Sequence, residues 1–176
     1  QCIKGNHEAM LLGEIPVKEN NAEVYQLNLV ADEISNSQLQ FIKGWKTEMQ
    51  FTLNNKQFYL THGSPQDKLN GYIYPDSDLN ILCDNEYDVI ITGHTHRPFI
   101  KNCADKMFIN VGSVGLPRDV GNLSSFLMYD SSTDIFEICR IGFDELTIGN
   151  GNNIHSAVKE CLLRRTENYV GKKIKI

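Results

Sequence analysis

Asp88-Val-Ile-Ile-Thr-Gly-His-Thr-His-Arg97 is the stretch whose reading decides the fold. Its front half is short, apolar and bounded by turn-forming residues, which reads as a strand buried on both faces. Its back half places His94 and His96 just past the strand end, where an extended backbone would point both imidazoles to one side. Gly93 has no Cβ, so a ligand can approach the main chain there. The same design occurs twice more. Gln1-Cys-Ile-Lys-Gly-Asn-His7 reads as the tail of a strand running into Gly5, Asn6 and His7, and Lys56-Gln-Phe-Tyr-Leu-Thr-His-Gly63 as a strand running into His62. In open α/β sheets, ligands bind beyond the carboxyl ends of the strands. Four of the five histidines fall at such ends, so a metal site assembled by the fold from distant segments is expected.

Working outward, Ser35 and Gln38 have capping-box spacing ahead of Leu39, Ile42 and Trp45, which recur at helical intervals until Gly44. A weaker helical pattern covers residues 22–31. Residues 49–53 and 56–61 form a hairpin across Asn54-Asn55, because asparagine tolerates the positive φ of a tight turn. Residues 64–78 are a long loop rich in Pro, Gly, Asp and Tyr, suited to shaping access to a site. A short helix is expected at 77–83. Strands follow at 99–101 and 107–111, then a hairpin of 125–129 with 135–141. A loop at 149–153 leads to a helix marked by Ile154, Val158, Cys161 and Leu162. Strands and helices alternate early and strands dominate later, so the class is mixed α/β, with residues 1–176 as a single domain.

The chain has 176 residues, 41% hydrophobic, and a formal net charge of −5. That balance disfavours a general nucleic-acid binder, which usually carries a basic face. The five cysteines are widely spaced with no Cys-x-x-Cys pair, which excludes a zinc ribbon and a dithiol redox motif and fits a reducing, cytoplasmic setting. They are expected to be buried small hydrophobes. No stretch is long and apolar enough to span a bilayer.

Taken in order, Gly5-Asn-His-Glu8, His62-Gly63 and Gly93-His-Thr-His96 resemble the calcineurin-like metallophosphoesterase superfamily. Asn110-Val-Gly-Ser-Val-Gly-Leu-Pro-Arg118 is similar to the Gly-Ser-Val-Gly-x-Pro-Arg signature of its small prokaryotic phosphodiesterase-like branch. The resemblance implies two facing mixed β-sheets flanked by helices, with two divalent metals at the strand ends. By position, Asn6, His62 and His94 would hold one metal, and His96 would help to hold the other. His7 would face the scissile phosphate and protonate the leaving oxygen while a bridging hydroxide attacks phosphorus. Mn²⁺ is the first expectation, with Fe, Zn²⁺, Ni²⁺ or Co²⁺ as alternatives. The family also opens with Asp-x-His and Gly-Asp blocks that this chain does not contain. The chain is therefore expected to be the C-terminal portion of such a domain with its N-terminal strands missing. It should then hold at most one metal well and leave an edge of its first sheet uncovered.

The chemistry of these residue types agrees with that assignment. Neutral imidazole suits first-row divalent metals, and an amide oxygen can complete the set. Two metals about 3.5–4 Å apart can clamp the oxygens of an in-line displacement. A histidine near its ordinary pKa of about 6.5 can donate a proton at neutral pH. Arg118 would touch a substrate phosphate or tie down its own glycine-rich loop. Ser113 reads as a turn residue, Glu8 as a cap or an orienting group, and His155 as a surface residue. Tyr72 and Tyr74 would stack a base or simply pack. The leading expectation is hydrolysis of a phosphodiester or dinucleotide-type substrate, either a small phosphate ester or a phosphoprotein, by a protein that is not bound to membranes and could form homo-oligomers. The alternatives are a catalytically inactive scaffold of the same fold that binds protein partners and, less favoured on charge, a nuclease of the same superfamily.

Overall fold

The computed structural model describes residues 1–145, 148, 154–166 and 168–175. The expected loop at 149–153 lies outside them. The central element is a five-stranded sheet in the order β1-β2-β3-β5-β4. Its strands are β1 (Glu48–Leu53), β2 (Lys56–Thr61), β3 (Val89–Thr92), β4 (Phe99–Cys103) and β5 (Lys106–Asn110). β2, β3 and β5 run parallel, and β1 and β4 flank them antiparallel. A three-stranded sheet of β6 (Leu123–Asp130), β7 (Ile135–Gly142) and the short β8 (Lys172–Lys173) is also mixed.

The middles of the parallel strands, residues 58–60, 89–91 and 107–109, are apolar because both of their faces are covered. Phe58, Val89 and Ile109, with Leu60, Ile91 and Met107, face one way and meet Leu127, Tyr129 and Phe136 of the smaller sheet. Their neighbours Tyr59, Ile90 and Phe108 face the other way. They pack against Ile73, Leu79 and Leu82 of the segment between β2 and β3. This is the period-two alternation of a strand applied to two cores at once. Burying each such side chain contributes about 1.5–3 kcal/mol, so the sheet ends are anchored from both sides.

Helices α1 (Asn6–Leu11), α2 (Glu19–Tyr25), α3 (Leu27–Glu33) and α4 (Asn36–Lys43) precede the sheet. The pattern at 22–31 resolves into two helices, because Gln26 takes a left-handed φ of 49° between α2 and α3. The Ser35 cap forms as expected, with Gln38 N–H donating to Ser35 Oγ and Ser35 N–H donating to Gln38 Oε1. The expected helix at 77–83 contracts to one 3₁₀ turn, Asn80–Leu82. Helix α5 (Ser156–Leu163) carries the predicted amphipathic stripe and buries Leu162. His155 is half-buried and caps α5, its Nδ1 accepting from Ala157 N–H. The first residues make a single parallel bridge, Ile3 to Lys46, rather than a strand. Only Cys139 of the five cysteines is fully buried, which corrects that expectation; Cys2 is exposed.

Candidate metal centre

Three chain segments meet beyond the carboxyl ends of β2, β3 and β5. The first turn of α1 supplies Asn6 and His7. Its cap is Gly5, whose N–H donates to the Glu8 carboxylate at 2.8 Å, so Glu8 is a capping group. A Cβ at Gly5 would lie 2.9 Å from His62 Nδ1. The lack of a side chain there lets the His62 ring come against the helix start. His62 follows β2, and its carbonyl accepts from Gly93 N–H at 2.9 Å, which joins the ends of β2 and β3.

His94 and His96 depart from the extended backbone expected for them. They have φ of 61° and 58°, the left-handed region that few non-glycine residues adopt. Their conformation is held from outside. Asn110, fully buried at the end of β5, donates to the Gly93 carbonyl at 2.6 Å and to Thr95 Oγ1 at 3.0 Å, and accepts from Gly112 N–H. Arg118 N–H donates to the His96 carbonyl at 3.0 Å. Strain of this kind persists only where surrounding structure over-determines it, and it concentrates at functional sites.

The result is a close convergence. His62 Nε2 is 2.8 Å from Asn6 Oδ1 and 3.0 Å from His94 Nδ1. Both are hydrogen-bonding distances, and they are also close to the roughly 3.0 Å that separates donor atoms set at right angles about 2.1 Å from one octahedral ion. Burial and then the neighbouring histidines push the pKa of His62 and of His94 down to about 4. Both rings are therefore neutral with lone pairs to offer. His94 Nε2 is buried without a hydrogen-bond partner. His96 stands apart from this trio. Its Nδ1 lies 2.7 Å from the Leu116 carbonyl, which can only accept, so the proton sits on Nδ1 and Nε2 keeps a free lone pair. Burial lowers its pKa, while that carbonyl contact raises it.

Two imidazole nitrogens and one amide oxygen are donor types that suit a single first-row divalent ion. Among the described residues, no group of three His, Cys, Asp or Glu side chains is close enough to hold a metal, and the third donor that converges here is the Asn6 amide. For a second ion, only His96 offers itself among the residues singled out in the sequence.

A cavity of about 150 Å³ opens over Asn6 and His94 of the trio, and its lining includes His7, Tyr72, His96 and Arg118. His7 sits at its rim, exposed, with its ring 4.3 Å from Tyr25. Crowding lowers the His7 pKa first, Glu8 opposes that, and the Arg118 charge adds to it. Tyr72 lies 4.4 Å over His94, ring centre to ring centre, and stacks on Tyr74. Ser113 is a turn residue, its Oγ accepting from Leu116 N–H. A larger hollow of about 820 Å³ lies elsewhere, between Cys2, Phe41, Trp45 and Met49, and no candidate residue lines it. Size is a weaker guide here than converging donors.

Sequence reasoning missed Asn110 as the group that shapes the histidine loop, although it stands inside a quoted motif. It also missed Arg97 and Arg164, which join Arg118 around a neighbouring cavity. They come from three separate segments, and no local pattern connects them.

A family model described as the calcineurin-like phosphoesterase superfamily domain matches residues 1–134. An uncharacterized protein of Methanocaldococcus jannaschii, MJ0912, is 24% identical over 98% of this chain and 73% of its own length. Phosphodiesterase YfcE of Escherichia coli is 32% identical over 47% of this chain and 39% of its own length. Among solved structures, a metallophosphoesterase from Sphaerobacter thermophilus superposes with a TM-score of 0.71 at 19% identity, covering 91% of this chain and 74% of that one.

Proposed function

Since the chain belongs to the calcineurin-like phosphoesterase superfamily, we propose that it carries part of the active site of a metal-dependent phosphoesterase that prefers phosphodiester or dinucleotide-type substrates. The observation that carries this reading is the meeting of Asn6 Oδ1, His62 Nε2 and His94 Nδ1 at 2.8 and 3.0 Å. A bound divalent ion, Mn²⁺ first among the candidates, supplies positive charge that polarises a phosphoryl oxygen and acidifies water. In this reading Asn6, His62 and His94 hold one ion, and His96, with its proton fixed on Nδ1, presents Nε2 to a second. His7 at the rim donates a proton to the departing oxygen. Its depressed pKa makes it a stronger acid than a free imidazole and reduces its protonated fraction at neutral pH. Arg118, whose Nε is buried and unpartnered, binds a phosphoryl oxygen of the ester.

The test is Mn²⁺ titration by calorimetry together with turnover of bis(4-nitrophenyl) phosphate. His62→Asn should abolish both metal binding and turnover. His7→Asn should keep metal affinity and lose about a hundredfold or more in kcat, the usual scale of general acid catalysis. Metal binding that survives His62→Asn undiminished would sink the assigned centre. Unchanged kcat in His7→Asn would sink the role given to His7.

A further inference from the structure

Residues 94 to 97 divide two cavities between them. His94 and His96 line the cavity over the trio, whereas Thr95 and Arg97 line a second one, also of about 150 Å³. Arg118 lines both, so the two cavities are neighbours on either side of one residue. Arg164, just past the end of α5, Cys161 within it and Tyr74 make up the rest of the second wall. Three arginines therefore line a volume only large enough for a small group.

Their charges are not neutralised locally. Among the described residues, none of Arg97, Arg118 and Arg164 forms an ion pair, although the chain as a whole carries a net charge of −5. Arg164 spends one N–H on the Arg118 carbonyl at 3.2 Å, and Arg118 Nε is buried with no acceptor. Each guanidinium has five N–H donors in a planar fork that matches phosphate oxygens. Like charges gathered here repel, though water screens the exposed Arg97, and the buried Arg118 Nε left without an acceptor costs free energy. A polyanionic group placed among them would relieve both penalties.

The wall between the cavities is continuous. Tyr72 covers His94 at 4.4 Å, Tyr74 stacks on Tyr72 at 5.8 Å, and Arg97 Cζ lies 5.9 Å from the Tyr74 ring. A ligand with one phosphoryl group at the histidines thus has a surface of rings leading to the arginines. We propose that the Arg97–Arg118–Arg164 cavity binds a second phosphoryl group of the substrate, so that the preferred substrates are phosphodiesters bearing a further phosphate. This rests on the phosphoesterase reading above and adds the substrate class to it.

The test has two arms. In the first, inorganic pyrophosphate is titrated calorimetrically into the protein with chelator present, so that no metal contributes. The wild type should bind, Arg97→Gln should weaken binding about tenfold or more, and Arg97→Lys, which keeps the charge but not the planar fork, should recover only part of it. Arg97 is exposed and forms no hydrogen bond to the fold through its guanidinium among the described contacts, so this variant should fold; Arg164→Gln is the second variant. In the other arm, turnover of thymidine 5′-(4-nitrophenyl phosphate) is compared with that of the same ester carrying a 3′-phosphate. The bisphosphate should show a KM about tenfold lower in the wild type, and Arg97→Gln should erase that preference. Equal pyrophosphate binding by wild type and Arg97→Gln overturns the proposal. Pyrophosphate binding without any KM preference also overturns it, because the cavity would then serve a free anion rather than the substrate. Pyrophosphate bound as expected with neither ester turned over instead refutes the phosphoesterase reading, and leaves the cavity as an anion site.

Discussion

Arg140 on β7 is the side chain whose surroundings yield the sharpest prediction about stability. It is fully buried. Its guanidinium donates to both Asp119 oxygens, at 2.6 and 3.0 Å, to the Val170 carbonyl at 3.0 Å and to the Leu123 carbonyl at 2.8 Å. One side chain thus ties the loop after Arg118, the start of β6 and the C-terminal segment to the small sheet. Asp119→Ala leaves the cation in place without a countercharge. Removing one partner of a buried pair costs about 3–5 kcal/mol. For a chain of this size each kcal/mol lowers Tm by about 2–4 °C, so a fall of about 6–20 °C is expected. Arg140→Met strands the Asp119 carboxylate, itself mostly buried, and should cost a similar amount, whereas the double variant Asp119→Leu/Arg140→Met should cost less than either, because both charges leave with their desolvation penalties. Urea unfolding followed by circular dichroism, with equal m-values for the variants, measures all three. If Asp119→Ala loses under about 1 kcal/mol, or the double variant loses more than Asp119→Ala, the argument that an unpaired buried charge dominates is refuted.

Three further outcomes follow from the site. Asn110→Ala removes the donor that holds Gly93 and Thr95, so urea unfolding should show a loss of about 1–3 kcal/mol and Mn²⁺ affinity should fall with it. Gly5→Ala places a methyl 2.9 Å from His62 Nδ1 and 3.0 Å from Glu8 Oε2. Calorimetry should show Mn²⁺ binding weakened about tenfold, and unchanged binding would mean the ring has room to move. Stability of the metal-free protein should depend on pH through His62 and His94. Their folded pKa near 4 lies below the unfolded value of 6.5, so between those values the unfolded chain binds more protons. Stability is therefore full above about pH 6.5 and is lost as pH falls towards 4. A Tm series from pH 7.5 to 4 should show this decline, and His62→Gln should flatten it.

The parts of the fold that were legible in the sequence are those decided by local physics. The Asn54-Asn55 turn takes φ of 51° and 61°, as a tight hairpin requires, and the Ser35 cap forms with the partner its spacing names. The apolar run Val89-Ile90-Ile91 of β3 is a central strand because both sheet faces are covered. The grouping of Asn6, His62 and His94 was legible because each follows a strand or glycine of one type. The left-handed backbone of His94 and His96 was not, since Asn110 and Arg118 impose it from at least fourteen residues away in the chain. Arg140 was equally hidden. An arginine in an alternating strand reads as an outward residue until an aspartate on another segment turns it inward. The arginine cavity depends on three segments and has no signature in any of them.

The division of labour along residues 94–97 has a consequence for how this protein can vary. The two cavities are assigned by odd and even positions, and the loop is pinned at both ends, by Asn110 on Gly93 and Thr95 and by Arg118 on His96. Adding or deleting a single residue there would turn a threonine into the histidine cavity and a histidine into the arginine cavity, so both linings would change together. That stretch should therefore be closed to changes of length, even where it accepts changes of side chain. The turn at 131–134 lines neither cavity and is held instead to the β1–β2 hairpin, by Asn54 donating to the Ser131 carbonyl and Lys56 pairing with Asp134. Lineages that alter their substrate should do so by lengthening or shortening residues 64–78, which supply Tyr72 and Tyr74, while keeping the spacing of the histidine loop fixed.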